Sequence, residues 1–133
     1  MTRHEAREQA FSIIFERIFN EDSIDEIIFN ASEGRDLEID DFARELCDKT
    51  IANQEEADKI ISEYSKKWKI NRLPKTTLAI LRMAITEINF FKDIPVSVTA
   101  NEAVELAKTY AVEEDAYYIN GILGAYIKNI GKK

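Results

Sequence analysis

The stretch IPVSVTANEAVELAK, residues 94–108, constrains the fold more than any other part of the chain. Pro95 fixes the backbone where it begins, and Ser97 is placed to cap a helix. Ala100, Ala103, Val104, Ala107 and Tyr110 then recur at helical spacing. Three alanines on one stripe let a neighbouring backbone come close, so this helix is expected at the centre of a bundle. Asn101 lies beside the stripe and needs a hydrogen-bond partner if it is buried. A last helix follows, with Asp115 as its expected cap and Ile119, Ile122, Leu123, Tyr126, Ile127 and Ile130 as its apolar face. Inside it sits Asn120-Gly121. Glycine in a helix interior costs roughly 1 kcal/mol against alanine, and close packing against another helix is the expected compensation.

The rest of the chain has the same period. Residues 2–20 form a first helix, with Thr2 and Glu5 at capping-box spacing and an apolar face of Ala6, Ala10, Ile13, Ile14, Phe15 and Ile18. Arg3, His4 and Arg7 cluster at its start, expected on the opposite side. Cations there oppose the helix dipole, so the cluster is either a solvated helix start or the seat of an anionic ligand. A second helix starts at Asp22 or Ser23 and is ended by Gly34. A third is capped by Asp40 or Asp41 and turns Leu46 and Cys47 inward; a fourth is capped by Asn53 and carries Ala57, Ile60, Ile61 and Tyr64. Residues 66–72, KKWKINR, join the halves. Basic residues around an aromatic suit nucleic acid, but Trp68 is read as a core anchor with the lysines extended around it. A fifth helix opens near Pro74 and buries Leu78, Leu81, Ala84, Ile85 and Ile88. Seven helices and no strand alternation make the chain all-α.

Composition narrows the function. The 133 residues suit one domain, and 45% hydrophobic content supports a core. Only 4 Gly and 2 Pro leave little turn chemistry for a sandwich or barrel. Neither a signal-peptide core nor an apolar run of the roughly 20 residues a membrane span needs is visible, so a cytoplasmic location without membrane attachment is expected. A single Cys47 allows no internal disulfide, and one His with one Cys falls short of the usual zinc site. No phosphate loop, nucleophile elbow or EF-hand occurs. Neither catalysis nor a cofactor is expected. Net charge is −7, but it is polarised: residues 21–63 carry a net of −11, and residues 64–82 carry 6 basic and no acidic groups. Such a chain can offer an acidic face to a basic protein and a basic face to RNA.

Several runs together resemble one family. These are Ile94-Pro95 with Val98, residues 101–108 (NEAVELAK), residues 119–123 (INGIL) and the upstream run 79–88 (AILRMAITEI). With the basic first helix they are similar to NusB, the bacterial transcription antitermination and ribosomal-RNA maturation factors. The resemblance implies one NusB-like RNA-binding domain over 1–133, folded as seven helices in two packed three-helix subdomains. It implies a partner, the ribosomal protein NusE, and a ligand, the single-stranded boxA element of ribosomal-RNA transcripts. It further implies assembly with other Nus factors on elongating RNA polymerase. RNA would be held by Arg3, His4, Arg7, Tyr117 and Tyr118, with the helix starts carrying them side by side. The partner would be met through Phe15, Phe19, Thr77 and Arg82. Arg7→Ala is expected to weaken RNA binding by about one phosphate's worth of salt dependence.

This chain departs from the family pattern at Ser12, Phe15, Thr77-Leu78 and Thr86, and carries Tyr117 where a polar or basic residue is usual. Two other functions suit the same fold. One is a protein-only adaptor or homodimer without RNA binding. The other is the NusB-like module of an RNA methyltransferase, for which the chain leaves no room after Lys133.

Overall fold

Thr2 and Glu5 start the first helix by exchanging bonds. The Thr2 hydroxyl accepts from the Glu5 N–H at 3.0 Å, and the Glu5 carboxylate accepts from the Thr2 N–H at 2.8 Å. The computed structural model describes residues 1–32 and 38–131, and in it this helix, α1, runs Arg3–Phe19. Ser23 and Glu26 repeat the reciprocal cap before α2, Ile24–Ser32. Gly34, expected to end α2, lies outside the described residues. Asp40 caps α3, Asp41–Ala52, by accepting from the Phe42 and Ala43 N–H groups. The remaining helices are α4 (Gln54–Tyr64), α5 (Lys75–Phe90), α6 (Val96–Tyr110) and α7 (Glu113–Asn129), with one 3-10 turn at Ile70–Arg72.

Three expected caps are corrected. The Asn53 side chain does not cap α4; its amide donates to the Lys49 carbonyl and closes α3. Helix α6 begins directly after Pro95, which puts Ser97 inside its first turn. Helix α7 begins after Val112, so Glu113, Glu114 and Asp115 form its first turn, where negative charge suits the unpaired N–H groups.

The described helices form two three-helix subdomains, α1–α3 and α5–α7, with α4 packed on α5 and α7. Eleven of the 16 residues of α5 are buried, and it touches α1, α3, α4, α6 and α7, so α5 and not α6 is the centre of the bundle. Helix α6 buries Thr99, Ala103, Leu106 and Ala107 and leaves Asn101 in solvent, where water satisfies the amide. Gly121 is not closely packed either: a Cβ built there meets nothing within 4 Å. Cys47 is fully buried, its thiol donating to the Ala10 carbonyl at 3.7 Å; burial above all pushes it up to about 12. None of the described helices is long and apolar enough to cross a membrane.

Candidate functional site

Arg7 sits three, four and seven residues before Ala10, Phe11 and Ile14, and so falls on the buried face of α1. It is 4% exposed. Its guanidinium makes a bidentate pair with Glu87 of α5, Nε to Oε1 at 2.9 Å and Nη2 to Oε2 at 2.8 Å. The Thr99 hydroxyl of α6 donates to the same Oε2. Nη1 lies 3.6 Å from Glu102, which in turn holds His4 Nδ1 at 2.8 Å. That bond, then the charges of Glu102, Glu8 and Glu105, raise the His4 pKa above its ordinary value against an opposing desolvation. The polar face expected at the start of α1 is therefore corrected. Arg7 belongs to a buried network tying α1, α5 and α6 together, and a phosphate reaches it only by breaking that network. Arg3 is exposed, its guanidinium stacked 4.1 Å from the centroid of Phe42, and the His4 side chain is partly open.

The α7 start is built differently. Tyr117 is 80% exposed, whereas Tyr118 is half-buried against the core. Ser65, at the end of α4, fixes what surrounds it. The Ser65 hydroxyl donates to the Trp68 carbonyl at 2.5 Å and accepts from the Tyr118 hydroxyl. Trp68 is 48% exposed, with Lys67 Nζ 5.8 Å from its ring. It is not the core anchor expected of it. Lys67, Trp68 and Arg72 form one wall of a cleft of about 680 Å³; Tyr117, Tyr118 and residues 113–115 form the other.

The two helix starts are not side by side. Arg7 meets Glu87, near the end of α5, whereas the cleft at Tyr118 reaches Pro74, just before α5 starts. Pro74 and Glu87 are 13 positions apart, about 20 Å along the helix, and α6 runs between α1 and α7. A compact ligand cannot touch both starts; a strand laid across α6 can.

Of the partner-surface residues, Phe19 is 61% exposed and Phe15 half-buried, in edge contact at 5.0 Å between centroids. Phe15 stacks on buried Phe11, which in turn stacks on the exposed Tyr110. Thr77 is fully buried, and Arg82 is spent on a bidentate pair with Asp58 at 2.8 and 2.9 Å. Neither presents a free side chain, because both lie on the faces of the central helix. Sequence reading set aside Lys67, Trp68 and Arg72; the signal for them was the concentration of 6 cations with no carboxylate in residues 64–82.

These features define an all-α module with charged and aromatic side chains at its surface. Comparison with known proteins identifies its kind. The model of the NusB family matches residues 4–128. Transcription antitermination protein NusB of Clostridium acetobutylicum is 43% identical over 137 positions, covering 100% of both chains. The same protein of Natranaerobius thermophilus is 39% identical, covering 99% of each. Among solved structures, T. maritima NusB superposes with a TM-score of 0.84 at 33% identity, covering 96% of this chain and 92% of that one. A structure of antitermination factors NusB and NusE in complex with dsRNA gives 0.82 at 27% identity, covering 97% and 99%. The chain belongs to the NusB family.

Proposed function

We propose that this chain is an RNA-binding transcription antitermination factor that works as a heterodimer with NusE. The observation that carries this is full-length likeness to NusB proteins, one of them solved with NusE and RNA. The surfaces support it. Arg3 and the cleft cations suit phosphates, Tyr117 and Trp68 offer open aromatic faces, and the Phe15–Phe19 edge is an apolar patch for a protein partner.

The finer reading is that the heterodimer recognises single-stranded boxA in ribosomal-RNA transcripts and joins other Nus factors on RNA polymerase, which places it in the cytoplasm. Unpaired RNA fits open aromatic faces, because its bases are free to stack and to hydrogen-bond at their edges. The work is positioning, without bond making or breaking.

Co-elution on size exclusion tests the assembly. The chain, NusE and a boxA strand are expected to migrate together, and Phe19→Ala is expected to release NusE. NusE retained with no RNA would make the chain a protein-only adaptor. A stable dimer of the chain alone that excludes both would contradict the proposal.

A further inference from the structure

We propose that the cleft between the α4–α5 connection and the start of α7 is a nucleotide pocket that prefers guanine to uracil; this rests on the RNA-binding reading above. Its charges are arranged unusually. Arg72 on one wall and Glu113, Glu114 and Asp115 on the other line the same space, yet none of these four makes an ion pair or a side-chain hydrogen bond among the described residues. Lys67 Nζ lies 5.8 Å from the Trp68 ring centroid and makes no ion pair among the described residues. Opposite charges facing one cleft without pairing leave both sets to a ligand that carries an anion at one end and N–H donors at the other.

A nucleotide has that form. Its phosphate suits Lys67 and Arg72, and its base suits the aromatic faces of Trp68 and Tyr117. The donor edge of the base then meets the carboxylates of the first turn of α7. Guanine presents two adjacent N–H donors, which a carboxylate accepts together. Uracil presents one N–H between two carbonyl oxygens, which a carboxylate repels. The walls are held before the ligand arrives, because the Ser65 hydroxyl bonds both the Trp68 carbonyl and the Tyr118 hydroxyl. A volume of about 680 Å³ lies within the range of small-ligand pockets, about 300–1,000 Å³.

Trp68 is the single tryptophan of the chain, so its emission reports on this cleft alone. The full chain is titrated with a labelled uridine oligoribonucleotide and with the same strand carrying one central guanosine. Label anisotropy and Trp68 fluorescence are read together. Saturable quenching is expected, with the guanosine strand bound about five-fold or more tightly. Arg72→Ala should weaken both strands and lower the salt slope by about one contact. The double variant Glu113→Gln with Glu114→Gln should erase the guanine preference without weakening the uridine strand, since it removes repulsion as well as readout. All three positions are exposed, and an unchanged melting temperature verifies the fold. RNA bound by anisotropy with unchanged Trp68 emission, or equal affinity for the two strands, overturns the pocket while RNA binding elsewhere stands. Binding of neither strand while a boxA strand still binds overturns the pocket alone; binding of neither of them nor of a boxA strand, with or without NusE, overturns both.

Discussion

Arg7 shows why a charge is not always a surface. Its pair with Glu87 is 5% and 2% exposed at the two side chains, and a guanidinium left alone there keeps the desolvation cost without the partner. Glu87→Ala should therefore lower stability by about 3–5 kcal/mol, read from the urea midpoint, and Arg7→Ala by a similar amount. A loss below about 1 kcal/mol would mean the pair is solvated. The spacing of Arg7 to Ala10, Phe11 and Ile14 puts it on the buried stripe of α1, against the polar face expected for it, and nothing local told that this stripe meets Glu87 across 80 residues. His4 gives a pH dependence of definite sign. Its folded pKa lies above the unfolded value of about 6.5, so its contribution is complete below that value and fades as pH rises through the folded one. The stability difference between the parent chain and His4→Ala should shrink on the alkaline side, measured from denaturant midpoints across about pH 6 to 9; a constant difference would show that the Glu102 bond does not depend on the imidazole charge. Thr50, Thr77 and Thr86 hydroxyls are buried without partners among the described residues. Thr77→Val should be neutral or stabilising by up to about 1 kcal/mol, and a clear loss by thermal melting would reveal a hidden bond.

Helix α7 carries one wall of the cleft at its start and an open face along its length. Its outer face carries Asn120, Gly121 and Gly124 in solvent, and neither glycine φ is positive nor is either approached by another helix. Gly121→Ala and Gly124→Ala should each raise stability by up to about 1 kcal/mol in the free chain. No gain on thermal melting would mean that unfolded-state order already offsets the helix propensity. The starts of α1, α2 and α3 were legible because Thr2, Ser23 and Asp40 bond the first-turn amides with their side chains. Those of α6 and α7 were misplaced because Pro95 and Val112 precede them with no side-chain bond, so nothing polar marks the boundary. Trp68 was misread for a related reason. A tryptophan among lysines has the same local pattern whether it anchors a core or lines a cleft, and only its position opposite Tyr118 separates the two.

At the scale of the whole molecule, the seven helices and the all-α class followed from apolar period, because the buried stripes repeat at three or four residues, whereas the two subdomains were implied only by the family resemblance. The site was only partly legible. Periodicity says which face a residue occupies on its own helix, but not which helix ends meet, and the α1 and α7 starts lie toward opposite ends of α5. Under the proposed function, an RNA that reaches both follows an extended path over α6, past Glu105 and Lys108. The net charge of −7 opposes this, so the proposed assembly gains from a partner that brings positive charge. The most direct test is titration of a labelled single-stranded boxA RNA, beside its duplex, at two salt concentrations, with and without NusE. RNA binding through extended cationic and aromatic contacts predicts salt-sensitive affinity for the single strand that tightens when NusE is present. Binding that ignores salt, or its absence in both cases while NusE is still captured, would contradict an RNA-binding antitermination factor and leave a protein adaptor.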